Sequence, residues 1–238
     1  MKATTYGNHL IQLTRYTAFN CFLVREDDGF TLVDTGLSGS AEAIIKAAQD
    51  HNGEIKRIVI THAHLDHLGS LDALRERLPN AEVMISARDA RFMRGDKSLD
   101  ADEAQMPLKG SYVETKTQPT RLLNNGDRIG SLEAIAAPGH TPGHMAYFDH
   151  RDRTLLAGDA YSIRGGLVTG GTLRPFFPFH SLATWNKPLS LRTGETLCAL
   201  QPSRLAVGHG NTLENPVPAM EKAIAEARRK LGANGHVR

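Results

Sequence analysis

The stretch that most constrains this chain is Thr61-His62-Ala63-His64-Leu65-Asp66-His67. Three imidazoles and a carboxylate fall within six residues, directly after an apolar run from Arg57 to Ile60 that reads as a strand. Imidazole and carboxylate are preferred ligands of zinc and related divalent ions, at roughly 2.0 to 2.2 Å, and residues two apart on an extended loop can point the same way. His62 and His64 can therefore share one ion, while Asp66 and His67 face a second as the loop turns.

Two ions need more ligands, and three later turns supply them. These are Pro138-Gly139-His140-Thr141-Pro142-Gly143-His144, Ala157-Gly158-Asp159 and Val207-Gly208-His209-Gly210, each just after a predicted strand. Glycine beside each candidate lets the backbone bend sharply around an ion. A single glycine-flanked histidine is ordinary loop chemistry; the argument rests on the set. Histidine and carboxylate sites accept zinc, iron or manganese. Zinc is the first expectation, with two divalent ions in a binuclear centre.

The surrounding pattern is α/β. Asn20 to Val24 and Phe30 to Val33 form a hairpin around the turn cluster Glu26-Asp27-Asp28-Gly29. Ser38 is the expected N-cap of a helix over Ala41 to Asp50, where Ile44, Ile45, Ala47 and Ala48 recur at helical spacing. A helix over Ser70 to Leu78 and a strand over Val83 to Ser86 complete a β-α-β unit, whose strand ends present loops to ligands. Arg91 to Thr120 is charged and poorly periodic and reads as an insertion over the body. Strands return at Leu132 to Ala136, Met145 to Phe148, Thr154 to Ala157 and Leu205 to Val207, and a last helix is expected over Pro218 to Leu231. Two halves, each of strands then helices, fit two facing sheets with helices outside. The 238 residues are expected to form one domain, 1–238.

Composition excludes several classes. With 40% hydrophobic and 23% charged residues the chain is an ordinary globular sequence, and its net charge is only +2. The short run Arg228-Arg229-Lys230 reads as the cationic end of the last helix. No nucleic-acid partner is expected. No run of 18 apolar residues occurs and Met1 to Thr5 has no apolar leader pattern, so the expectation is no membrane partner and a cytoplasmic location. Cys21 and Cys198 are expected to be reduced thiols.

The order His62-x-His64-x-Asp66-His67, His140, Asp159, His209 resembles the metallo-β-lactamase superfamily, and the resemblance spans most of the chain. It implies the four-layer αββα sandwich of that fold. It implies also that His62, His64 and His140 bind one metal, that Asp66, His67 and His209 bind the other, and that Asp159 bridges both. Val33-Asp34-Thr35-Gly36 looks like the family motif whose aspartate supports the metal loop, making Asp34 a residue behind the ligands. True β-lactamases of this fold commonly carry cysteine where Asp159 stands, so the sequence is more similar to the glyoxalase II and lactonase branch. His144 is expected off the metal, and His9, His51, His150, His180 and His236 are read as surface or structural.

The activity implied is hydrolysis of a small-molecule ester, lactone or thioester by a hydroxide bridging the two ions, with Asp66 carrying a proton to the leaving group. Asp66 and Asp159 are thus the catalytic carboxylates. Tyr161 is a candidate substrate contact, because lactonases of the superfamily place a tyrosine near that position. Phe176-Phe177-Pro178-Phe179-His180, followed by Trp185, is an aromatic cluster that either walls a pocket or seals the core or a homodimer interface. The 29 residues after His209 are too few for the glutathione-binding domain of glyoxalase II. The alternative is an iron-dependent, persulfide dioxygenase-like oxidoreductase using the same ligand set.

Overall fold

The computed structural model describes residues 1–175 and 177–234; Phe176 and His236 lie outside them. Seven strands form the first sheet in sequence order: β1 (Lys2–Tyr6), β2 (Leu10–Arg15), β3 (Phe19–Glu26), β4 (Gly29–Val33), β5 (Ile55–Val59), β6 (Glu82–Ser86) and β7 (Arg121–Leu123). The first four run antiparallel and the rest parallel. Four strands open the second sheet: β8 (Arg128–Ile129), β9 (Leu132–Ala136), β10 (Met145–Asp149) and β11 (Thr154–Leu156). A two-stranded ribbon, β12 (Tyr161–Ser162) with β13 (Val168–Thr169), precedes the last strands of that sheet, β14 (Arg204–Ala206) and β15 (Leu213–Glu214). The second sheet is ordered β15-β14-β11-β10-β9-β8, with β11 and β14 parallel.

Alternation along the strands decides the layers, since successive side chains point to opposite faces. In β3, Phe22 and Val24 face the second sheet, where they meet Leu132, Met145 and Tyr147, while Leu23 faces outward. The outer face of the first sheet is covered by α1 (Ala41–Asp50) and, beyond the short α2 (Leu65–Leu68), by α3 (Leu71–Arg77), through Ile44, Leu71 and Leu74. After α4 (Ala90–Met93) and α5 (Phe179–Leu182), helices α6 (Lys187–Ala199) and α7 (Val217–Asn234) cover the second sheet, with Leu197, Met220 and Ile224 against Phe148 and Leu205. The chain is a four-layer αββα sandwich. β5 and β6 lie between helices and the other sheet, which is why Ile58, Val59, Val83, Met84 and Ile85 read as continuous apolar runs.

The strands and helices expected from the sequence are found close to their expected bounds, while β1, the β12–β13 ribbon and α6 were not expected, and one cap is corrected. Ser40, not Ser38, occupies the cap position of α1, and its hydroxyl donates to the Leu37 carbonyl instead of accepting from the helix. The middle segment is one short helix, α4, followed by largely irregular chain. Cys21 and Cys198 are free and buried. Among the described residues no helix is long and apolar enough to cross a membrane.

Candidate metal centre

All the candidate ligands sit at one end of the sandwich, on loops leaving strand C-termini. Asp34 follows β4, residues 61–67 follow β5, and the turn bearing His140 joins β9 to β10. Asp159 follows β11, and His209 follows β14. Because β11 and β14 are parallel neighbours, the last two loops emerge side by side, and the Gly208 N–H donates to the Gly158 carbonyl at 3.0 Å. The sheets are sewn together beneath the site: Met145 N–H donates to Thr61 O at 2.8 Å, and the Tyr147 hydroxyl to Ile60 O at 2.7 Å.

Each of the five histidines has one ring nitrogen committed to an acceptor. His67 Nδ1 donates to Asp34 Oδ2 at 2.7 Å. The Thr61 hydroxyl donates to the same carboxylate, so it accepts from His62 Nδ1 at 3.1 Å. His64 Nε2 donates to Lys109 O at 3.0 Å, and His209 Nδ1 to Ala18 O at 3.1 Å. His140 Nδ1 donates to the Thr184 hydroxyl at 3.1 Å, whose own proton goes to His180 O. An acceptor behind a ring fixes its tautomer and leaves the other nitrogen a free lone pair.

Those free nitrogens converge. His64 Nδ1 lies 3.0 Å from His62 Nε2 and 3.1 Å from His140 Nε2. With their protons committed on the far side, these atoms meet lone pair to lone pair, an arrangement a hydrogen bond cannot satisfy and a cation can. Nitrogens around a tetrahedral ion at 2.0 to 2.1 Å would stand about 3.3 Å apart. The second group is Asp66, His67 and His209, with His209 Nε2 3.3 Å and His67 Nε2 3.8 Å from Asp66 Oδ2. Asp159 lies between the groups: Oδ2 is 3.4 Å from His140 Nε2 and 3.1 Å from His209 Nε2, and Oδ1 is 3.5 Å from His67 Nε2. Buried His67 Nε2 and Asp159 Oδ1 have no hydrogen-bond partner. The residues fit two divalent cations.

Electrostatics divides the two groups. Burial drives His62 and His140 well below the ordinary imidazole range and His64 down to about 4, so all three are neutral at pH 7. Burial also opposes charge on His67 and His209, but the carboxylates prevail. Asp34, Asp66 and Asp159 hold His67 well above its ordinary value, and Asp159 with Asp66 lifts His209 to about 10. Cation uptake should therefore release no protons from the first group and about two from the second. Below the raised pKa of each displaced proton, about 10 for His209, the affinity of the second group should fall about tenfold per pH unit for that proton. Titration calorimetry in two buffers of different ionisation enthalpy measures this; equal proton release from both steps would contradict it.

The site opens into a cavity of about 580 Å³. His64, Asp66, His140, Asp159 and His209 form its floor, and Phe19, Leu65, Phe177, Phe179 and Leu182 give it an apolar wall. Gly110 and Ser111 line it as well, so the 91–120 insertion is a wall of the site. The aromatic cluster divides: Phe177 and Phe179 face the cavity, while buried Trp185 donates to Met106 O and ties the insertion to the α5–α6 segment.

Two sequence-based assignments change. Tyr161 does not line the cavity: its ring is buried and its hydroxyl donates to Gly194 O at 2.6 Å, because β12 turns it into the α6 side of the core. His180 is not a peripheral residue. It lines the cavity, stacks on His140 with ring centroids 5.3 Å apart, and its Nε2 donates to the Asp159 carbonyl at 2.8 Å. His144 stands outside the convergent groups and accepts from the Asp159 N–H through Nε2.

A family model described as the metallo-beta-lactamase superfamily matches residues 18–209, and the chain belongs to that superfamily. Its class is that of the metal-dependent hydrolases. An uncharacterized protein of Bacillus subtilis (strain 168), YobT, is 45% identical over 233 residues, covering 96% of this chain and 100% of that protein. The hydroxyacylglutathione hydrolase GloC of Haemophilus influenzae is 28% identical over 176 residues, 71% of this chain and 76% of that one. Among solved structures, TTHA1623 in a di-iron-bound form matches with a TM-score of 0.66 at 24% identity, over 90% of this chain and 97% of that chain.

Proposed function

We propose that this chain is a binuclear hydrolase that cleaves an ester, lactone or thioester bond of a small molecule. One observation carries the reading: five histidines, each with its far nitrogen committed to an acceptor, bring their near nitrogens together with one another and with two carboxylates at the floor of an open cavity. His62, His64 and His140 would hold one ion, Asp66, His67 and His209 the other, and Asp159 both. Bound divalent ions supply Lewis acidity and bring the pKa of water to about 7.

The chain's own groups do the rest. Asp66 is the site carboxylate with the most exposed side chain, 24% against 3% for Asp159. Burial would raise its pKa, but His67 and His209 outweigh burial and hold it at about 2, so it is an anion at the cavity floor; the proton-carrying role we give it rests on its exposed position there, not on its basicity. The wall of Phe19, Phe177, Phe179 and Leu182 favours an apolar substituent on the acyl or leaving side. The relative named as a hydroxyacylglutathione hydrolase supports thioesters among the candidates.

Elemental analysis of the purified chain, followed by a hydrolysis screen of lactones, esters and thioesters, tests the proposal. About two zinc ions per chain and chelator-sensitive turnover are expected. About one iron per chain with oxygen-dependent turnover of a persulfide would favour the dioxygenase-like reading, and a chain that takes up no metal on reconstitution would falsify both.

A further inference from the structure

A second buried carboxylate stands behind the site. Asp89, just before α4, is fully buried and appears in none of the chain's ion pairs among the described residues. Its Oδ2 accepts from the Ala63 N–H at 3.0 Å and the Thr141 hydroxyl at 2.7 Å, and its Oδ1 accepts from the Gly143 N–H at 2.7 Å. Ala63 is the residue between His62 and His64. Thr141 and Gly143 belong to the turn that carries His140. The approach is close enough to require glycine: a Cβ on Gly143 would lie 2.5 Å from Asp89 N and 2.6 Å from Asp89 Oδ1.

The two loops come from different sheets, one leaving β5 and the other joining β9 to β10. Their relative position sets the separation of His140 Nε2 from His64 Nδ1, 3.1 Å. Asp34 acts elsewhere: it bonds His67 directly and reaches His62 only through Thr61. No bond from Asp89 goes to Asp66, His67, Asp159 or His209.

We propose that Asp89 is a positioning residue for the His62, His64 and His140 site, clamping its two loops at one distance and setting the affinity of that site alone. The inference rests on the reading that these groups hold metal ions. Three neutral donors on one carboxylate need both oxygens as acceptors; the amide of asparagine offers one oxygen and turns two N–H donors toward the others.

The test compares the wild type with Asp89→Asn and Thr141→Val, each as the full chain, reading cobalt(II) uptake by equilibrium dialysis, the visible cobalt spectrum and the thermal midpoint without metal. Asp89→Asn should lose about ten- to a hundredfold in affinity for one ion of the pair and keep the other, with a changed cobalt spectrum for the weakened site. Thr141→Val removes one of the three bonds at nearly constant volume and should show a smaller loss at the same site, so a non-folding Asp89→Asn leaves the inference testable. Unchanged affinities and spectrum in a folded variant overturn it. Equal weakening of both sites in step with a lower metal-free midpoint also overturns it, as a general structural effect. A wild type that binds no cobalt refutes the metal reading itself, before any variant is compared.

Discussion

Replacing Asp159 with alanine should strip the centre of at least one ion and lower kcat/KM by more than about a thousandfold, equivalent to roughly 4 kcal/mol of transition-state stabilisation. Its carboxylate lies within 3.5 Å of nitrogens from both clusters, reaching His140, His209 and His67. Without it five imidazoles face one another with Asp66, which stands with His67 and His209, the remaining carboxylate of the set, so two dications would sit together with no protein carboxylate between them. His67 and His209 would also lose a partner that sustains their raised pKa values. Metal content and steady-state kinetics measured on one preparation decide the matter. Full activity in a metal-depleted Asp159→Ala chain would remove the foundation of the proposed function.

Gly110→Ala should lower kcat/KM by about a hundredfold while leaving the fold intact. Gly110 has φ +91°, a backbone region that costs an L-residue roughly 1–2 kcal/mol. A Cβ there would stand 2.2 Å from His64 Nε2 and 2.4 Å from His64 Cε1. The ring is the softer body and must give way, losing its bond to Lys109 O and moving Nδ1 off the convergence point. The defect should therefore appear as weaker binding of one ion and slower turnover, with a small change in thermal midpoint. Activity equal to wild type would show that the insertion does not bear on His64.

This contrast explains what was legible in the sequence and what was not. The run from His62 to His67 and the glycine-flanked turns were legible because side chains carry both the chemistry and the spacing. The sheets were legible because period-two alternation in β3 and the doubly buried runs of β5 and β6 are written in side-chain type. Of the acceptors behind the histidines only Asp34 was legible, from its motif; Lys109 and Ala18 were not, since they act through backbone carbonyls that any residue supplies. His180 was missed because a short helix, α5, delivers it from a segment without period or motif. Asp89 did leave a signal: it is an acid three residues past the end of β6, the kind of strand-end position from which Asp34 and the 61–67 loop act.

The walls of the cavity have a different origin from its floor. The floor comes from loops braced against strand ends and against each other, whereas the walls come from two excursions, residues 91–120 and 164–186, inserted between successive ligand loops. Each excursion also braces a ligand from above, Lys109 O holding the His64 ring and the Thr184 hydroxyl the His140 ring, so only its remaining positions are free to vary. The two excursions meet where the Trp185 indole reaches Met106 O, so a change of substrate preference in this architecture is a renegotiation between two neighbouring loops.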